Sequence, residues 1–164
     1  MDKQLLEQLR ALCRKTHAPQ YRFPYPECRE GWKSILIEAV ASIEQLGVPW
    51  VASQIKEKFG TLRFYADILE PEESWISEVS KPDRKMSEFD ETVMWFVEKT
   101  NAEKTVLYKQ FYTIIEDVER KSAHICEECG NSDASLRDLS WIQTLCNSCY
   151  DKVGHTNEEE NKEV

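Results

Sequence analysis

The chain has 164 residues, 41% hydrophobic and 10% aromatic, and its 21 lysines and arginines face 30 aspartates and glutamates for a net charge of −9. That length and apolar content suit one compact domain, or one domain carrying a small satellite, and exclude wholesale disorder. No apolar run approaches the ~20 residues of a membrane-spanning helix, and no hydrophobic leader follows the initial Met-Asp-Lys-Gln, so the expected setting is cytoplasmic, away from membranes.

Leu5, Leu6, Leu9, Leu12 and Cys13 recur at helical spacing and predict a short amphipathic helix over 3–15. Pro19, Pro24 and Pro26 deny regular structure to residues 16–31, whose Tyr21, Phe23 and Tyr25 are expected to pack onto the body. Trp32, Ile35, Leu36, Ala39, Val40, Ile43 and Leu46 mark the buried face of a helix over 32–46, stopped by Gly47 and Pro49. Alternating Val51, Ile55, Leu62 and Phe64 around Phe59-Gly60-Thr61 predict a β-hairpin with strands over 51–58 and 61–67. Its basic side chains Lys56, Lys58 and Arg63 are expected on an exposed face.

Residues 69–87 read as a polar connector with one helical turn around Trp75. Ser87 is an N-cap candidate, with Glu88, Asp90 and Glu91 in the first turn where the helix dipole favours acids. Val93, Val97, Leu107, Phe111, Ile114 and Val118 then step by three and four toward Ser122. A single helix over that stretch would run ~50 Å at 1.5 Å per residue, and Thr100 and Lys104 interrupt its seam, so two helices meeting near Asn101 are predicted.

Of the six cysteines, Cys13 and Cys28 stand apart, whereas Cys126, Cys129, Cys146 and Cys149 form two C-x2-C pairs within 24 residues. A C-x2-C bend aims two sulfurs at one point, and four thiolates complete a tetrahedral Zn2+ site at about 2.3 Å per bond with no position left for water. The pattern predicts one structural zinc ion. Gly130 follows the first pair where a left-handed backbone is needed, a small hairpin fits over 135–139 and 141–145, and the second pair opens a helix over 147–153. This is a treble-clef order. His124 reads as an exposed or capping residue, and the C-x3-H step of Cys13 and His17 with distant Cys28 is too sparse for a second metal site.

The run Leu145-Cys146-Asn147-Ser148-Cys149 after a C-x2-C pair resembles GATA-type zinc fingers over about 25 residues. The basic tail that serves DNA binding in that family is replaced here by Asp151 and Glu158-Glu159-Glu160, so the resemblance implies the fold without the activity. A wider resemblance rests on Glu30-Gly31-Trp32, on Lys58-Phe59-Gly60-Thr61-Leu62-Arg63-Phe64-Tyr65 and on Ser122 through Cys149. In this order they resemble a family of small uncharacterised phage and bacterial proteins with a Gly-Trp helix, a Lys-Phe-Gly-x-Leu-Arg-Phe-Tyr hairpin and a C-terminal zinc motif. Ser140 stands where that family usually has Gly, Cys149 where it often has His, and 69–110 resembles an insertion.

The fold class expected is α+β. A mainly helical body with one hairpin occupies 1–122, a treble-clef-like zinc module 123–153 packs on it, and an acidic tail over 154–164 is disordered. No Gly-rich phosphate loop, G-x-S-x-G elbow or H-E-x-x-H helix occurs, and Glu116, Asp117 and Glu119 read as a charged outer face, so no catalytic residue is assigned and an enzyme is not expected.

The charge is uneven: residues 1–65 hold ten basic and seven acidic side chains, and 66–103 hold four and eleven. An acidic field repels phosphates and suits a basic protein partner, such as a nuclease toxin or a nucleic-acid-binding defence complex. The expected role is an acidic inhibitor or adaptor of immunity or anti-defence type, with Glu70, Glu72, Glu73, Trp75, Glu88, Asp90, Glu91 and Trp95 as partner-binding residues. Two other readings are a nucleic-acid-binding regulator using the zinc finger with Lys56, Lys58 and Arg63, and a homo-oligomer built on the 88–122 seam.

Overall fold

The computed structural model describes residues 3–13 and 15–160, the last seven as backbone only. Helices α1 (Lys3–Leu12) and α2 (Lys33–Gln45) pack through Leu5, Leu6 and Leu9 against Ile35, Leu36, Ala39, Val40 and Ile43, all buried. A 3-10 turn, Glu30–Trp32, leads into α2, and Gly47 at φ +67° ends it in the left-handed region that glycine tolerates.

Strands β1 (Trp50–Lys58) and β2 (Thr61–Ile68) form an antiparallel hairpin in register Ile55 to Phe64 and Lys58 to Thr61, with a shift between Ala52 and Gln54. An isolated two-stranded hairpin is marginal in water, and its edges invite foreign pairing. Here both edges are covered. Along β1 the proline-rich segment makes two single parallel bridges, at His17–Trp50 and Glu27–Lys56. Ala18 and Glu27 donate to the carbonyls of Trp50 and Ile55. Along β2 the N–H groups of Leu62 and Phe64 donate to Ser122 Oγ at 2.8 Å and Glu119 Oε1 at 2.9 Å. Glu119 thus covers an edge, a role different from the outer-face position expected from sequence.

Trp50 is the centre of the core. Fully buried, it meets His17, Phe23, Phe64 and Phe111 at ring distances of 5.0 to 6.3 Å. Its indole N–H donates to Glu44 Oε1 at 2.8 Å, and Glu44 also accepts Thr16 Oγ1 at 2.7 Å. Phe23 is buried as expected, but Tyr21 and Tyr25 remain nearly half exposed.

Helices α3 (Glu73–Val79), α4 (Glu88–Val97) and α5 (Asn101–Ser122) follow. Ser87 and Asp90 form a capping box for α4, and Thr100 and Glu103 another for α5. The second box places the break at Asn101 and explains the polar Thr100 in the apolar seam. The last elements are β3 (Ala134–Asp138), β4 (Ile142–Cys146) and α6 (Asn147–Glu160). The fold is α+β, with two separate two-stranded sheets, six α-helices and one 3-10 turn among the described residues. Helix α6 runs beyond 153 into residues expected to be a disordered tail; Gly154 costs a helix about 1 kcal/mol but does not stop it as proline would. Residues 161–164 of that tail lie outside the described residues. Among the described residues no helix is long and apolar enough to cross a membrane.

Burial lowers the pKa of His17 to about 4, and its Nε2 accepts the Ala52 N–H at 3.2 Å. A histidine whose folded pKa lies below its unfolded value of about 6.5 stabilises the fold fully above that value and loses its contribution as pH falls toward 4. The melting temperature is expected to fall more steeply between pH 6.5 and 4 for the wild type than for His17→Asn. Thiol protonation is common to both proteins and cancels in the comparison, so parallel curves reject this role.

Candidate metal centre

The cluster is assembled from two backbone devices. In the first, Cys126 to Gly130 close a tight bend, with Gly130 N–H donating to Cys126 O at 2.9 Å and Gly130 at φ +77°. In the second, β4 ends at Cys146 and α6 begins at once, so Cys146 and Cys149 sit across the first helical turn. Strands β3 and β4 pair Ala134 with Cys146 and Leu136 with Thr144.

All four sulfurs lie within 4.8 Å of one another, and Cys129 Sγ to Cys146 Sγ is 3.6 Å. A tetrahedron with about 2.3 Å bonds has edges of about 3.8 Å, whereas a disulfide needs about 2.05 Å, so the spacing fits four ligands around one ion. Every cysteine is free of disulfide. Cys126, Cys146 and Cys149 are buried and Cys129 is exposed. Ser148 Oγ, 3.2 Å from Cys146 Sγ, and the Cys149 N–H bring the Cys146 thiol down to about 6. Burial, reinforced by hydrogen bonding among the crowded thiols, pushes Cys149 up to about 12. Four sulfurs this close ionise together only when a cation balances them. The cluster can hold a metal ion.

Its attachment to the body is a backbone-to-backbone contact. Gly31 N–H donates to Glu127 O at 2.8 Å, and a Cβ on Gly31 would lie 2.0 Å from Cys126 O. The buried Trp32 indole donates to Ile125 O at 2.8 Å. At the hairpin turn, Thr144 Oγ1 donates to Gly60 O at 2.5 Å, and Trp141 Nε1 to Glu57 Oε2 at 3.2 Å. A Cβ on Gly60 would stand 2.6 Å from Leu136 Cδ2. The junction of segment 125–146 with the body is therefore held at two places, by Gly31-Trp32 at the Ile125–Glu127 bend and by Gly60 at Leu136 and Thr144.

Glu127, between two ligands, escaped the sequence reading, whose only hint was its place inside the C-x2-C bend. It is 1% exposed, and Oε1 accepts Gln143 Nε2 at 2.6 Å with Arg29 Nε at 3.3 Å. Oε2 is buried with no hydrogen-bond partner, and burial raises the carboxyl pKa. Arg29 also pairs with Glu128, tying the knuckle to the segment before α2.

The remaining candidates are scattered. Among the described residues only the four cysteines converge as metal ligands. His124 is exposed and outside that group, His17 is in the aromatic core, and the buried thiol of Cys28 is pushed up to about 12 by desolvation. Lys56 and Arg63 pair across the outer face of the hairpin, with Tyr65 exposed beside Lys56. Glu27 bridges to Lys56, and Glu119 is 3.9 Å from Arg63, so acids flank this basic row; Lys58 lies over the Phe59 ring.

Among the acids, Asp90 is a correction. It is buried, its Oδ2 accepting Ser87 N–H and Oγ–H and both its oxygens accepting Arg84 Nη2, so it caps α4 rather than facing solvent. Glu70 accepts Tyr108 Oη at 2.7 Å, and Glu72 accepts Ser74 Oγ at 3.3 Å beside exposed Glu73. Trp75 is half-buried, edge-on to Phe89 at 6.2 Å. Glu88, Glu91 and Trp95 are exposed and line one cleft with Glu44 and Lys15.

No family model, curated protein or solved structure matches the chain.

Gly31→Ala is expected to destabilise the protein by about 3 kcal/mol, because its methyl meets rigid backbone, and to weaken metal retention in a chelator competition. Gly47→Ala, where the nearest atom is 4.0 Å away, is expected to cost only the left-handed strain of about 1–2 kcal/mol and to leave metal retention unchanged. Equal effects of the two in denaturant unfolding and metal competition would contradict the junction.

Proposed function

We propose that the chain is a zinc-stabilised, non-catalytic protein-interaction module, an inhibitor or adaptor whose partner presents basic side chains. Zn2+ is the ion suited to four thiolates in a closed tetrahedron, and once bound it cross-links the knuckle, β4 and α6 without offering a coordination site for chemistry. The remaining residues then serve as a scaffold that holds surfaces in place.

The observation that carries the binding reading is the cleft of about 400 Å3 between the C-terminal end of α2 and α4, lined by Glu44, Glu88, Glu91, Trp95 and Lys15. Glu44 is committed to Thr16 and Trp50, which leaves Glu88 and Glu91 as the charge an incoming Lys or Arg would meet. The Trp95 ring already carries Lys99 Nζ at 4.1 Å from its centroid, which is cation–π geometry. A basic side chain in this cleft gains carboxylates on one side and an indole on the other. Charge of this kind sets speed and register, with the indole as anchor.

Two measurements test the reading. The purified protein is expected to carry one zinc per chain by elemental analysis, and Cys146→Ser to lose it; purification with iron, or with no metal under reducing conditions, rejects the zinc assignment. Titration with an arginine-rich decapeptide at low salt is expected to shift the Trp95 indole resonance, with Glu88→Gln/Glu91→Gln binding about tenfold more weakly, a loss of about 1.4 kcal/mol. A Trp95 signal that stays still through the titration rejects the cleft.

A further inference from the structure

Among the described residues, three of the four strand edges give an outward backbone group near mid-strand to another segment. The segment at 16–18 and 27 covers β1, α5 covers β2, and the Glu127 N–H donates to Thr144 O at 2.9 Å on the outer side of β4. The outer edge of β3 is covered only at its first residue, where Ala134 N–H donates to His124 O at 3.3 Å. Register decides which groups it leaves open. Thr144 turns its carbonyl outward to Glu127, so it belongs to a pair that exchanges no hydrogen bonds across the ladder. Leu136, its partner, therefore turns its own N–H and C=O outward, at the middle of a five-residue strand.

The same place carries exposed apolar surface. Leu136 is 53% exposed, Phe59 60%, Trp141 60% and Ile142 39%. Leu136 lies over Gly60, next to Phe59, and Trp141 is hydrogen-bonded to Glu57, so these three gather at the hairpin turn, with Ile142 following Trp141 at the start of β4. Together they expose roughly 400 Å2, about the apolar share of one side of a standard interface of about 800 Å2. Phe59 also stands at φ +53°, where a bulky side chain is strained and where Asn or Gly would serve the turn better.

We propose that this surface is the interface of a homodimer in which two β3 strands pair antiparallel about a two-fold axis through Leu136, giving the sheet order β4–β3–β3–β4. A second copy fits better than a strand from another protein. An added foreign strand needs a run of open donors and acceptors, and His124 has already closed the Ala134 N–H. Two-fold pairing at Leu136 needs only that residue's N–H and C=O, and it forms two reciprocal hydrogen bonds. Charge permits the register: Asp138 stands opposite Ala134 of the second copy and Arg137 opposite Ser135, so no like charges face each other. The acidic cleft lies near the Trp50 end of the β1–β2 hairpin and the proposed interface at its turn, about 30 Å away for a nine-residue strand. The excess acid of each copy is thus kept apart.

Sedimentation equilibrium of the metal-loaded protein from low micromolar concentration upward tests this. The mass is expected to rise from 19.2 kDa toward twice that value. Leu136→Pro removes the outward N–H, a loss an edge strand tolerates, together with the leucine side chain over Gly60, and Trp141→Ala removes the largest exposed ring; each is expected to weaken association at least tenfold with circular dichroism unchanged. In the wild type the Leu136 amide is expected to exchange with deuterium more slowly as concentration rises. A monomer at every concentration, a dimer that either folded variant leaves at wild-type strength, or concentration-independent exchange at Leu136 overturns the proposal. Peptide titration at the Trp95 cleft reads independently of all three.

Discussion

The contact between the Gly31 backbone and the Cys126–Gly130 bend is the constraint on which the rest depends. Backbone meets backbone there with no side chain between, so neither partner can yield to the other. The bend carries two of the converging sulfurs, and Gly31 precedes Trp32, which is buried at the start of α2. The geometry of the cysteine cluster and the packing of the core are therefore linked through a few ångströms of main chain. The buried Glu127 adds to the linkage, because beside Gln143 of its own module its carboxylate takes Arg29 from the segment before α2.

A second constraint is the lone hairpin of the body. Two strands cannot protect their own edges, and the chain meets this with materials that do not look like sheet. A proline-rich segment lends single backbone pairs to β1, since proline lacks the donor for a continuous ladder but leaves its neighbours free to pair. Ser122 and Glu119 of a helix lend side-chain acceptors to β2. His17, Glu44 and Trp50 lock the first of these arrangements into the core through hydrogen bonds that burial strengthens.

These constraints sort the charges. Several acids of the 66–103 stretch are consumed within the fold: Glu78 pairs with Arg84 and Lys81, Asp90 with Arg84, and Glu103 caps α5. The acidic charge left uncommitted is less than the sequence count implies, with Glu88 and Glu91 exposed beside Trp95. The basic row of the hairpin is likewise flanked by acids. Apolar surface, by contrast, gathers at the junction, where closely fitted backbone leaves Leu136, Trp141 and Phe59 no interior to enter.

Local patterns were legible from the chain alone wherever chemistry acts over a few residues. The cysteine spacing marked the cysteine cluster because a C-x2-C bend dictates its own geometry, and Ser87 and Gly47 marked helix ends because caps and left-handed turns are short-range demands; Thr100 showed only as a polar break in the seam, and its capping role emerged from the structure. The α+β class followed from hydrophobic period. The pairing of residues 16–27 with β1, the burial of Asp90 and Glu127, the work of Glu119 and the meeting of Gly31 with the knuckle all join positions through tertiary packing, and nothing local announces them. Residue type and spacing determined what this protein is made of. Only packing decided which carboxylates, edges and rings were left facing outward, because burial and hydrogen-bond satisfaction depend on what the whole chain brings near.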